Sequence, residues 1–144
     1  MITYTITLLI SVLLGLLIGL ERTYARKTAG MRTYALVTLA GTLFVVINSA
    51  LVSLYGLESL DTARIIAAIV SGVGFLGAGL IIFQDNHIAN LTTAAGMWVA
   101  VAVGVMVGLQ LFVHAIIATA IILFVLRVIA ILEKTIRSNF PPEA

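Results

Sequence analysis

Residues 65–83 read IIAAIVSGVGFLGAGLIIF, with glycines at Gly72, Gly74, Gly77 and Gly79. Taken alone, the G-x-G-x-x-G spacing from Gly72 to Gly77 is that of a loop whose backbone N–H groups approach a pyrophosphate. Such a loop follows a strand, opens an amphipathic helix and is answered about 20 residues on by an acidic side chain. Here the run is apolar on both sides, and the positions in question hold Val99, Ala100 and Val101. The stretch instead suits a bilayer, whose crossing takes roughly 20 apolar residues. Its glycines are then packing surface, because lipid tails give helices no hydrophobic reason to associate and small residues let backbones approach. At about 100° per residue, Gly72 and Gly79 share one face and Gly74 and Gly77 lie nearly opposite. A helix smooth on two sides is expected between two others, as the central element of a bundle. Glycine also permits local unwinding, which would free backbone groups to hold an ion.

Composition agrees with a membrane solvent. Of 144 residues 62% are hydrophobic and 10% are charged, and mean hydropathy is +1.22; a soluble domain carries about 25% charged residues to cover its surface. The lack of cysteine excludes disulfides and thiolate metal sites. The net charge of +2 does not point to nucleic acid, because the basic residues cluster as they do in cytoplasmic loops of membrane proteins. No cleavable signal is evident, so the first apolar segment is expected to stay as a span.

The pattern predicts an all-α, polytopic protein with a transmembrane domain over 1–137 and a short polar tail over 138–144. Helices are expected at about 4–21, 34–55, 64–83, 91–108 and 111–133, giving a five-helix bundle. The last two come from one apolar run from Thr92 to Leu132 that is twice too long for a single span and reverses near Gly108-Leu109-Gln110. Arg22, Arg26, Lys27 and Arg32 follow the first helix, and Lys134 and Arg137 follow the fifth. The positive-inside rule then places the N-terminus outside and the C-terminus inside.

Charged groups at bilayer depth are costly and default to functional suspects. Glu21 and Arg22 end the first helix, Arg32 and Thr33 begin the second, and Arg64 begins the third. Glu21 is expected to pair with Arg32 across the hairpin, or else to form a proton or cation site. Thr92 and Thr93 open the fourth helix, where Asn90 or Thr92 is expected to cap the N-terminus, and Trp98 is expected to pack against a neighbouring helix. Gly15-x-x-x-Gly19 and Gly104-x-x-x-Gly108 are further close-packing candidates. These residues assemble no catalytic triad, paired catalytic carboxylates or P-loop, so an enzyme is not expected. No cofactor and no metal site is expected either, and no carboxylate-lined path crosses the membrane.

Four segments in order resemble the MgtC/SapB family of bacterial inner-membrane proteins: GLLIGLER at 15–22, AGMRT at 29–33, Arg64-Ile65 leading to SGVGFLGAG at 71–79, and LTTAA at 91–95 followed by Trp98. The resemblance implies a multi-pass domain in the bacterial inner membrane, linked in relatives to growth in low magnesium. It also implies action by contact with other membrane proteins, such as the proton-translocating ATP synthase. The chain departs from the family's usual pattern at Thr62, Ala68 and Asn90, which stand where relatives often have Pro, Gln and Gly.

Two functions follow as expectations. One is association with the lipid bilayer, with other membrane proteins and with further copies of the chain. Its candidate residues are Glu21, Arg22, Arg32, Thr33, Arg64, Gly72, Gly74, Gly77, Gly79, Thr92, Thr93 and Trp98. The other is transport of an ion, Mg²⁺ included, or a small solute, at a site near Glu21 and an unwound third helix.

Overall fold

The computed structural model describes residues 2–56, 62–84 and 87–139. Five helical segments are long and apolar enough to cross a membrane. In chain order they are α1 (Ile2–Tyr24), α2 (Met31–Tyr55), α3 (Thr62–Leu80), α4 (Leu91–Gly108) and α5, which begins at Phe112. The turn at Leu109 and Gln110, with Gln110 in the left-handed region at φ 62°, reverses the chain between α4 and α5 where the sequence expects it.

Several boundaries differ from expectation: α1 runs to Tyr24 rather than 21, and α2 starts at Met31 rather than 34. The third helix stops at Leu80 rather than 83, and the chain then forms an antiparallel hairpin, β1 (Ile82–Gln84) on β2 (His87–Ala89), with Phe83 opposite Ile88. The apolar run gave no sign of that ending, since Ile and Phe suit strand and helix alike. Helix α5 is interrupted by a π-helical turn at Val125–Ile129 and resumes as α6 (Ala130–Asn139). Residues 138 and 139 of the expected polar tail therefore extend a helix, and 140–144 lie outside the described residues.

The central element is α4, not α3. Eleven of the 18 residues of α4 are buried: Thr93, Ala94, Gly96, Met97, Ala100, Val101, Val103, Gly104, Val105, Val107 and Gly108. In α3 only Ile69, Val73 and Gly77 of 19 are. Helix α4 packs on α1, α2, α3 and α5, whereas α3 rests mainly on α4 along one edge of the bundle. From Ala94 to Gly108 helix α4 carries no charged or hydroxyl side chain, as suits a helix that meets neighbours on most sides, and Leu91, Ala95, Trp98 and Ala102 mark its one exposed face.

Bare backbone at the interfaces explains the arrangement. A Cβ at Gly15 would stand 2.8 Å from the Cα of Ala35, and one at Gly19 2.5 Å from the Cα of Met31. One at Gly104 would overlap the carbonyl of Thr38, and one at Gly41 would come within 2.7 Å of the Val101 carbonyl oxygen. The G-x-x-x-G pairs of α1 and α4 thus draw both helices onto α2. At Gly72, Gly74 and Gly79, by contrast, a Cβ would meet nothing within 4 Å, and at Gly77 it would find ordinary contact with Ala94. Nor is α3 unwound: it runs as continuous α-helix from Thr62 to Leu80.

Polar side chains complete the core. Thr42, fully buried, has its Oγ1 2.7 Å from the Gly104 carbonyl oxygen and 2.8 Å from Ser11 Oγ. Donating its one proton to the carbonyl leaves it free to accept from Ser11. One hydroxyl thereby ties α1, α2 and α4 where no water competes. Thr7 and Thr38 donate to carbonyls four residues back in their own helices, Thr3 and Tyr34. These side chains satisfy their hydroxyls without asking for a partner across the bundle.

Candidate functional site at the basic end

Arg22 lies at the end of α1 yet is only 2% exposed. Its Nε donates to Glu21 Oε2, and its Nη2 donates to the Leu126 carbonyl oxygen at 3.3 Å. Leu126 belongs to the π-helical turn of α5. A widened turn is a common consequence of a side chain entering the backbone ladder, and here the entering group is a guanidinium. A buried charge is tolerated only when paired and hydrogen-bonded. Glu21 and the Leu126 carbonyl meet both conditions and make the cluster neutral.

The expected Glu21–Arg32 pair is therefore replaced by Glu21–Arg22, between neighbours on one helix. Arg32 is exposed at the start of α2, and Thr33 is half-buried beside it. Both line a cavity of about 460 Å³ with Leu16, Thr23, Thr28 and Met31.

Above the ion pair the connecting segments are pinned to one another. Thr23 Oγ1 accepts from the Met31 N–H at 3.1 Å, closing the α1–α2 turn through which Arg26 passes at φ 53°. Thr28 donates to Asn90 Oδ1 at 2.9 Å, and Asn90 Nδ2 donates to the Leu80 carbonyl at 3.2 Å. Asn90 precedes α4 but caps nothing with its side chain, and neither does Thr92, which is exposed. Asn90 instead sits in the left-handed region, φ 65°, and clamps the end of α3 to the α1–α2 turn. Asparagine adopts that conformation more readily than most residues. The guanidinium of Arg127 stacks 4.6 Å from the ring centroid of Tyr24, a second contact between α1 and α5.

Tyr34, fully buried, donates its hydroxyl to the Thr93 carbonyl at 3.2 Å. Gly96, one turn along α4, leaves room for that hydroxyl, since a Cβ there would lie 2.5 Å from it. Thr93 is buried at this junction. The structure thus brings Glu21, Arg22, Arg32, Thr33 and Thr93 to one end of the bundle, all near the basic clusters.

Thr92 is at this end too, exposed beside Thr93, and the remaining candidates lie along α3 and midway along α4. Arg64 starts α3 at the opposite end and is exposed, as are Gly72, Gly74 and Gly79 along that helix. Trp98 is 47% exposed and faces outward rather than against a neighbouring helix. Tyr34, Asn90 as a clamp and the Leu126 carbonyl were not singled out for these roles. The four-residue spacing of Tyr34, Thr38 and Thr42 was the available signal for a polar seam on α2; the π-turn left none.

Among the described residues no three His, Cys, Asp or Glu side chains converge to hold a metal ion. Chemically the cluster can fix the helix ends and present Arg26, Lys27 and Arg32 at a membrane edge.

Comparison with known proteins accords with the geometry. The MgtC family model matches residues 8–135. Protein MgtC of Salmonella typhimurium LT2 is 41% identical over 128 residues, covering 85% of this chain and 51% of the relative. Protein MgtC of Brucella abortus 2308 is 45% identical over 113 residues, 78% of this chain and 45% of the relative. The chain thus spans about half the length of the curated relatives it matches. No solved structure matches it.

Proposed function

The chain belongs to the MgtC family, and from that premise we propose that it acts in the bacterial inner membrane by helix-to-helix association. Its partners are other membrane proteins and further copies of itself, and it regulates transport or energy coupling under magnesium limitation or stress. It is not an enzyme. The basic end faces the cytoplasm, as the positive-inside rule requires of a surface carrying Arg26, Lys27 and Arg32.

One observation carries the reading. Charged and hydroxyl groups inside the bundle are engaged with one another, as in Glu21–Arg22–Leu126, Tyr34–Thr93 and Ser11–Thr42–Gly104. Backbone left bare by glycine faces outward on α3. An ion path needs the reverse, with polar groups free along a central route. The continuous α3 also removes the unwound segment on which a transport site would have been built.

In-membrane crosslinking of the full chain, followed by identification of the attached proteins, tests the proposal. Specific capture of membrane proteins is expected, together with no ion flux in reconstituted vesicles. Flux that Glu21→Gln abolishes, without any captured protein, would overturn it.

A further inference from the structure

Between α2 and α3 lies an open groove of about 690 Å³, walled by Leu36, Ala40 and Phe44 on α2 and by Ala68, Gly72 and Leu76 on α3. Its lining is apolar but for Asn48, which is 3% exposed. Asn48 Nδ2 donates to Thr62 Oγ1 at 3.1 Å, while Oδ1 has no hydrogen-bond partner among the described residues. Turning the amide over exchanges the two atoms and still leaves one of them unsatisfied. A buried amide oxygen without a donor is costly, most of all where no water competes. A lipid tail would fill the groove and bring no donor.

We propose that a second copy of this chain packs its α3 beside this groove, α3 against α3, about a two-fold axis along the membrane normal. The inference rests on the self-association in the proposed function and gives it an interface. Such an axis keeps every residue at its own depth in the partner, so complementary groups must lie level. They do: Asn48 is bonded to Thr62, and Arg64 follows two residues on, about 3 Å along the axis. Arg64 shares one side of α3 with Ala67, Ser71, Gly74 and Ala78 at about 100° per residue, and all five are exposed. That side is a smooth strip with a cationic donor at the level of the unpartnered Asn48 oxygen.

The adjoining side supplies Ala68 and Gly72, a small-x-x-x-small pair at which the backbone of another helix can approach closely. Gly72 and Gly74, idle within one chain, are therefore occupied between two.

The absence of cysteine allows single-site tests in the full chain. Under mild oxidation in native membranes, Gly74→Cys and Ala78→Cys are expected to give disulfide-linked dimers, while Ile117→Cys and Ile121→Cys on the exposed side of α5 stay monomeric. At Gly72 or Gly74 a new Cβ meets nothing within 4 Å beyond the adjoining backbone of its own helix, so leucine is accommodated there. These variants are expected to keep the monomer's melting behaviour and weaken dimerisation about tenfold or more. Arg64→Ala is expected to weaken it as well. Equal crosslinking on α3 and α5, or a dimer unaffected by both leucines, would overturn the interface. If other membrane proteins are still captured in that event, only the interface falls; if nothing is captured, the proposed function falls with it.

Discussion

Arg22 on α1 donates to the Leu126 carbonyl of α5, 104 residues along the chain, at 3.3 Å. The first and last spans are joined by a charge that is itself held by Glu21. Removing the guanidinium strands a carboxylate at the membrane edge. Arg22→Ala is expected to lower stability by about 3 kcal/mol, the usual cost of breaking a buried pair by deleting one partner. Glu21→Gln leaves the Arg22 guanidinium buried without a counter-charge and is expected to cost a similar amount, offset in part by the amide oxygen that still accepts from it. Unfolding in detergent micelles measures both, and an unchanged Arg22→Ala would contradict the buried geometry.

The two groups of glycines make opposite predictions. Gly104→Ala pushes a methyl into the Thr38 carbonyl, so a loss of about 1–3 kcal/mol is expected from overpacking. Gly79→Ala meets open space and is expected to leave stability equal or raise it by up to about 1 kcal/mol, through helix propensity alone. Thermal melting of the two variants side by side checks the contrast.

Asn90 combines a left-handed backbone with a clamp between Thr28 and Leu80. Asn90→Ala loses both hydrogen bonds and adds about 1 kcal/mol of backbone strain. Asn90→Gly loses only the bonds. The glycine variant is thus expected to be the more stable of the two. Equal stability would mean that the conformation at residue 90 relaxes on substitution.

Tyr34→Phe removes the donor to the Thr93 carbonyl without changing the packed ring. A loss of about 1 kcal/mol is expected, since the carbonyl is left in a site closed to water. Melting temperature in micelles again serves as the readout.

Orientation has its own check. Cysteine in place of Arg26 is expected to react with an impermeant reagent only from the cytoplasmic side, and cysteine in place of Gln110 only from the other. Labelling of both positions from one side would refute the five-span topology.

Much of the fold was legible in the chain. Apolar length and the placement of Lys and Arg identified five spans, because each span answers to a local demand: enough hydrocarbon to cross and no charge within it. The α1–α2 and α4–α5 reversals followed from the same rule.

What the sequence could not reveal was which small residues touch something. Gly15, Gly104 and Gly72 read alike in apolar helices, and spacing alone cannot say which face meets a neighbour. The closest packing occurs where α1 and α4 meet α2, leaving α3 at the edge. Glu21 pairing with Arg22, which also reaches a carbonyl of α5, rather than with Arg32 is of the same kind. Hydrophobic length is a property of each segment by itself, whereas steric fit and hydrogen-bond satisfaction belong to pairs of segments. Those pairs exist only once the helices have come together.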